Sequence, residues 1–431
     1  MGRIPLSAPA SVRTVQPGKA RWVYLLLSFV MNIMLGSAYS WSVFTLPLKE
    51  VYGATTFTAM LPFAVALATF SLGMVFAGRF VDRHGPRKVA MLGGALVSVG
   101  YMLSFFMDKT GLPIPTLILT YGVVMGLGIG FSYNPPIPTA TRWFPDRKGL
   151  ATGFVVMGYG LSPLFTAPLA SALIEWYGVP TTFLVMGVLF LAVLVPLGSL
   201  LRFPPPDWKA PEPKGKSKRT WTPLAEMETK AVARTPAFWS VWLLYAVGTA
   251  GGFMVIGNAK PIAGEVGGAA AALAIVAVQV LAVFNSIGRP LFGRSADVYG
   301  PRRTLLVMYL VLLGSLGLLA VSTSVVPVFA GIAITGMVFG GFLAVMPAIA
   351  VYFFGQKHLG SNYGLLFTGY GTGALIATFA AGPLRDAFGS YVPAFYVGIA
   401  LSALGFAISV LLRPPRPAAA RMESAKAPTR A

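Results

Sequence analysis

Twelve separate stretches of almost wholly apolar residues constrain this chain more than any other feature. They lie near residues 22–45, 57–80, 88–107, 114–134, 149–174, 179–201, 237–258, 270–293, 303–322, 326–352, 361–384 and 391–412. A helix needs about 20 such residues to cross the hydrocarbon core of a bilayer. With 56% hydrophobic and 11% charged residues over 431 positions, the expected fold is an all-α polytopic membrane protein of twelve transmembrane helices.

The formal charge of +20 would suit a nucleic-acid partner if it were spread over a surface, but it is not. Of 33 Lys and Arg, 28 lie in the termini and even-numbered loops, four (Lys49, Lys109, Lys260, Arg385) lie in odd-numbered loops, and one, Arg289, lies inside a span. This is the positive-inside asymmetry, which places both termini in the cytoplasm of a multi-pass protein of the plasma (inner) membrane. Nucleic acid is therefore not expected as a partner, whereas the lipid bilayer is. The absence of cysteine excludes disulfides and thiolate metal sites, and His84 and His358 both fall in loops. No metal and no cofactor is expected. Paired carboxylates, a nucleophile with a base and a cofactor loop are all missing, so no catalytic residue is assigned and an enzyme is not expected.

The second span runs into Gly78-Arg79-Phe80-Val81-Asp82-Arg83-His84-Gly85-Pro86-Arg87-Lys88, and 215 residues later comes Gly293-Arg294-Ser295-Ala296-Asp297-Val298-Tyr299-Gly300-Pro301-Arg302-Arg303. A second recurrence, at a spacing of 211, pairs Gly153 with Gly364, Gly158-Tyr159-Gly160 with Gly369-Tyr370-Gly371, and Gly178 with Gly389. The chain thus reads as two copies of a six-helix unit, the sequence signature of secondary transporters whose substrate site lies between the repeats. The expected organisation is a cytoplasmic N-terminal segment (1–21), an N-terminal bundle (22–201), a cytoplasmic linker (202–236), a C-terminal bundle (237–412) and a cytoplasmic tail (413–431). The basic N-terminal segment precedes a helix without a small-residue cleavage site, so it reads as retained. The linker's Lys214-Gly215-Lys216-Ser217 lacks the strand and helix of a nucleotide loop, and the linker's basic run suits anionic headgroups.

Arg289 is the only Lys or Arg placed inside the membrane, since Arg79, Lys88 and Arg303 stand at span ends. Eight helical residues separate it from Asp297, which marks the membrane surface, so it lies about 12 Å deep in a core about 30 Å thick. A guanidinium there costs at least about 2.5–3.5 kcal/mol unless it meets a wet cavity or a partner. All thirteen acidic residues fall in loops, termini or span ends, so no carboxylate partner is available at that depth. Its counterpart in the duplicated signature is Met74, so the cation belongs to one copy only. An anionic substrate is the expected partner, because guanidinium binds carboxylate in a planar two-point fork. Tyr39 in the first span and Tyr133 in the fourth are candidate cavity residues. The fourth span, with Gly126, Gly128, Gly130 and Pro135-Pro136, is expected to be thin and bendable.

The signature resembles that of the major facilitator superfamily, in which a glycine lets two helices approach and an aspartate sits among arginines at the cytoplasmic surface. The matching residues are Gly78, Asp82, Arg83, Gly85 and Arg87, and Gly293, Asp297, Gly300 and Arg302. Together with Tyr39-Ser40-Trp41-Ser42-Val43-Phe44, Tyr133-Asn134-Pro135-Pro136, Arg142-Trp143-Phe144-Pro145, Arg289-Pro290 and Asn362-Tyr363-Gly364-Leu365-Leu366-Phe367-Thr368, the chain resembles the oxalate/formate antiporter branch, related to the monocarboxylate transporters. The resemblance covers essentially all twelve spans. It implies two pseudo-symmetric six-helix bundles, with Arg289 binding a substrate carboxylate and Tyr39 and Tyr133 lining the cavity. In the oxalate antiporter a lysine of the eleventh span supplies a second cation, and the position that matches holds Tyr370. Proton-coupled relatives carry an aspartate one turn before the arginine, and Asn285 stands there.

The resulting expectation is a monomeric transporter of small organic anions, most of all monocarboxylates of the formate, lactate or pyruvate type, working by alternating access. The expected site is Arg289, Tyr39, Tyr133, Asn285 and Tyr370, with a counter-anion or a proton as the coupled species. Oxalate/formate-type dicarboxylate exchange and transport of drug-like or neutral solutes are the alternatives. A non-transporting sensor is disfavoured by the lack of a folded output domain.

Overall fold

Eleven apolar helical segments long enough to span a bilayer make up the computed structural model, which describes residues 17–144, 148–205, 224, 226–355 and 358–412. We label Ala20–Tyr52 α1, Thr56–Val81 α2, Arg83–Asp108 α3 and Pro113–Trp143 α4. The next segment, Ala151–Leu200, has 50 residues, about 75 Å of continuous helix. It cannot be one crossing of a core about 30 Å thick. Gly178, at φ 80° and ψ 172°, breaks it, giving α5 (151–177) and α6 (179–200) and hence twelve passes. The second half contains α7 (Pro236–Ile256), α8 (Ala272–Ala296), α9 (Pro301–Val321), α10 (Val325–Phe354), α11 (Gly360–Phe388) and α12 (Val392–Leu411). Residues 1–16, the linker's basic run, the tail from 413 onward and the side chains of Asp82 and Asp297 lie outside the described residues.

The duplication is visible in the backbone. Gly85 (φ 77°) and Gly300 (φ 90°) each turn the chain between consecutive spans, as do Gly178 (φ 80°) and Gly389 (φ 66°). These are left-handed or extended-positive conformations that cost little only for glycine. The pairs are related by the same 215 and 211 spacings found in the sequence.

Two helices depart from the simple span picture. The first extends to Tyr52, beyond the expected residue 45, and tightens into a short 3₁₀ turn at Gly36–Ser40. A methyl on Gly36 would fall inside van der Waals contact with the Tyr159 carbonyl and 2.6 Å from Ser162 Cβ, so the bare backbone of α1 rests on α5 here. In α4 the glycines at alternate positions serve two neighbours. Gly130 faces Gly73 of α2, while a methyl on Gly128 would lie 2.5 Å from the Val97 amide of α3. Two α-helical pieces meet at Asn134-Pro135, both of which keep right-handed helical dihedrals.

The halves meet along two seams, α2 against α11 and α5 against α8. Small residues allow each approach. A methyl on Gly371 would press on Ser71, and one on Gly160 would lie 2.7 Å from Ser286 Oγ. These two serine-on-glycine contacts are themselves a symmetry pair, since Ser71 and Ser286 are 215 residues apart and Gly160 and Gly371 are 211 apart.

Candidate functional site

The repeated Gly-Tyr-Gly run explains how the centre is built. In α5, Gly158 lies against the Phe29 carbonyl of α1 and Gly160 faces α8, while Tyr159 between them is 1% exposed. In α11, Gly369 lies against Trp242 of α7 and Gly371 faces α2, with Tyr370 buried between them. Each tyrosine is thereby aimed at the middle of the molecule. Their rings flank Tyr39, whose hydroxyl is 2.7 Å from that of Tyr370 and whose ring meets Tyr159 edge-on at 4.9 Å.

Arg289 lies at this centre, 2% exposed. Its Nε and one terminal nitrogen donate to Asn285 Oδ1 at 3.3 and 3.2 Å, one helical turn earlier on α8. Its other terminal nitrogen donates across the seam to the Val156 carbonyl of α5. The Tyr133 phenol lies within interacting distance of the guanidinium, and Tyr39, Tyr159 and Tyr363 lie within its electrostatic reach. No acidic side chain among the described residues pairs with it. The positive charge is held by neutral dipoles in a low-dielectric interior, where an unpaired ion is costly.

Of the residues expected at the site, the structure brings Arg289, Asn285, Tyr39 and Tyr133 together. Asn285 orients the arginine with its oxygen, while its Nδ2 is buried without a hydrogen-bond partner among the described residues. Tyr370 joins through the Tyr39 hydroxyl. Trp41, beside Tyr39 in sequence, belongs elsewhere: its indole donates to the Ala59 carbonyl at 3.0 Å and packs on Tyr121 and Phe44 in the N-terminal core.

Several central residues were not singled out in the sequence. Tyr159 is the most polar of them, with a buried hydroxyl that has no hydrogen-bond partner among the described residues. Phe70 touches Tyr133, Tyr159, Phe367 and Tyr370, and Phe253 and Phe339 close the cage over Tyr39 and Tyr370. The 211 spacing that links Tyr370 to Tyr159 was the available signal for the latter.

The duplicated signature lies at the end where the described chain begins and ends. Arg83 and Arg87 are exposed, whereas Arg302 donates to the Ser409 and Val410 carbonyls, capping the last turn of α12. A tight helix approach at Gly78 and Gly293 is not seen. A methyl on Gly78 would be 3.8 Å from Asn134 and one on Gly293 would be 3.6 Å from Ala344, ordinary contact distances.

At the opposite end the halves are tied by Asp386 of α11, which accepts from the backbone amides of Thr56 and Phe57 at 2.8 and 3.0 Å. These are the free amides at the N-terminus of α2, where a carboxylate also complements the helix dipole. Arg385 pairs with Glu265 at 2.6 Å beside it. Lys260, between α7 and α8, is pulled below the usual lysine range by burial, with Glu50 opposing that shift.

The Major Facilitator Superfamily family model matches residues 25–287 and 248–430. The chain belongs to the major facilitator superfamily. It is a transporter and not an enzyme, embedded in the membrane by many helices. The oxalate:formate antiporter of Oxalobacter formigenes is 28% identical over 404 residues, covering 91% of this chain and 92% of that one. Human monocarboxylate transporter 10 is 26% identical over 416 residues, covering 91% and 79%. This superfamily fold is also shared with a solved bacterial homologue of the human lysosomal transporter Spinster, at TM-score 0.59 and 17% identity, with 91% and 94% of the two chains aligned.

Proposed function

We propose that this transporter moves small monocarboxylates across the plasma (inner) membrane by alternating access, with Arg289 as the carboxylate-binding group. The observation that carries the reading is one guanidinium buried between the halves with only neutral partners. A guanidinium has five N–H donors, and three are engaged by Asn285 and Val156. One further hydrogen is carried by each terminal nitrogen, with the Tyr133 phenol within reach of the guanidinium, and two is the number that a two-point fork to a carboxylate requires. Tyr39 and Tyr133 supply hydroxyls beside it, and Tyr370 fixes the orientation of Tyr39.

A single cation favours a monoanion, because a second negative charge would enter this aromatic cage uncompensated. The name of the oxalate:formate relative pairs a dicarboxylate with a monocarboxylate, so dicarboxylate exchange is the alternative, and the two readings separate by assay. Asn285 cannot carry a proton, so coupling runs through a counter-anion, through a proton that travels with the substrate, or not at all. The loop-charge asymmetry supports cytoplasmic termini, and the protein is read as a monomer of two six-helix bundles joined by the 202–236 linker. The duplicated signature, including Asp82 and Asp297, is read as its conformational gate.

Reconstituted vesicles preloaded with anion or with buffer, tested over a panel of mono- and dicarboxylates, check the reading. Saturable uptake of monocarboxylates is expected. Uptake confined to dicarboxylates, or to uncharged compounds without competition by carboxylates, would replace it with one of the alternatives.

A further inference from the structure

We infer that Gly160 is a positioning residue for Arg289: by leaving the face of α5 bare, it seats the guanidinium on the Val156 carbonyl and lets the two halves close without an anion. The inference rests on the reading of Arg289 as the substrate-binding cation.

Three observations carry it. Arg289 is on α8 in one half and Val156 on α5 in the other, so their hydrogen bond is a clasp between halves. The seat is made by an absence of side chain: a methyl on Gly160 would lie 2.7 Å from Ser286 Oγ, 3.1 Å from Asn285 Oδ1 and 3.2 Å from Arg289 Nε. One of these atoms is the arginine's own nitrogen, one is the asparagine oxygen that holds it, and the third, Ser286 Oγ, donates to the Met157 carbonyl of α5. The symmetry-related contact of Gly371 on Ser71 and Ala68 has Met74 where Arg289 stands, so at this depth the other seam closes by packing, its charge-assisted contact lying at the far end where Asp386 meets the Thr56 and Phe57 amides. At the depth of the central site one seam is therefore shut by shape and the other by shape plus a charge-assisted hydrogen bond, which is about twice as strong as a neutral one.

The functional consequence concerns the carrier between transport events. A lone cation in a closing apolar seam would resist closure until an anion arrived, which enforces exchange. The Val156 carbonyl supplies a dipole for that charge from within the protein, so closure, and with it the return step of net transport, does not require a counter-anion. Substrate uses the two hydrogens left on the terminal nitrogens, so it and the Val156 carbonyl do not compete for the same donor.

The test uses the full-length protein, whose lack of cysteine permits clean spin labelling. Pairs at Lys88→Cys with Arg303→Cys, and at Glu50→Cys with Ala270→Cys, report separation of the halves at the two ends. Without added anion, the unsubstituted seam should give a dominant short-distance population at both ends. Gly160→Ala and Gly160→Val should reduce that population relative to open forms by about tenfold, the size of one charged hydrogen bond at the low end. Gly153→Ala on the same helix, where a methyl meets nothing within 4 Å, should leave it unchanged.

In vesicles the same Gly160 variants should raise the ratio of exchange to net efflux. Should Gly160→Ala fail to fold, the double variant Gly160→Ala/Ser286→Ala removes the nearest atom and retains the methyl against Arg289. Closure that still fails supports the inference. Closure restored to the original level by that double variant, or unchanged in the single variants, overturns it. Because the distance measurement needs no substrate, it distinguishes failure of this inference from failure of the carboxylate reading.

Discussion

The hydroxyls of Tyr39 and Tyr370 meet at 2.7 Å between the first helix of one half and the fifth helix of the other. Both groups are buried, so removing one leaves the other unsatisfied, whereas removing both leaves two apolar rings in contact. Tyr39→Phe and Tyr370→Phe are each expected to destabilise by about 1–3 kcal/mol, and the double variant by less than the sum. A double-mutant cycle in thermal unfolding of the detergent-solubilised protein checks this. Additive losses would mean that the hydroxyls do not interact.

Tyr370 also tests selectivity. Its hydroxyl meets that of Tyr39, and Tyr370→Lys would place a second cation next to the site. Monocarboxylate uptake should fall through repulsion with Arg289, and competition by dicarboxylates should rise. A substituted protein with an unaltered inhibition profile would separate Tyr370 from the substrate altogether.

Asn285→Asp should convert a permanently available arginine into a conditional one. The new carboxylate, one helical turn from Arg289, would pair with it and compete with substrate until protonated. Uptake is expected to drop severalfold at neutral pH and recover as the medium is acidified, with a steeper pH dependence than the unsubstituted protein. A parallel pH profile for the two proteins would contradict the role assigned to Asn285 as the residue holding the guanidinium.

The contact of Asp386 with the Thr56 and Phe57 amides joins the halves at the end opposite the termini. Asp386→Asn retains one acceptor oxygen and loses the charge at the helix N-terminus. Losing a cap of this kind costs about 0.5–2 kcal/mol, which should shift the Glu50/Ala270 label distances toward longer values. The Lys88/Arg303 pair should change little.

Much of this architecture was legible before any coordinates, for reasons that can be traced to particular residues. Apolar length revealed the passes, because lipid tolerates little else. Gly85, Gly178, Gly300 and Gly389 exposed the duplication, because their positive φ values hold glycine in place in both copies. Arg289 stood out because a cation at that depth needs a reason.

The aromatic cage was hidden for the opposite cause. With 30 Phe and 16 Tyr in the chain, ring identity carries little information, and what selects Phe70, Phe253 and Phe339 is helix rotation, which hydropathy does not report. Tyr159 was within reach, since the repeat that singled out Tyr370 contains it. The 3₁₀ turn that points Tyr39 inward and Trp41 into the N-terminal core depends on Gly36 resting against α5, a tertiary contact with no local signature.

The central claim is that Arg289 recognises the carboxylate, and the most direct measurement is radiolabelled monocarboxylate uptake into vesicles containing Arg289→Lys. Lysine keeps the charge and loses the fork. With insertion and thermal stability checked in parallel, uptake should fall by about a hundredfold, the worth of two charge-assisted hydrogen bonds. Uptake at the unsubstituted rate in a correctly inserted Arg289→Lys protein would contradict the account.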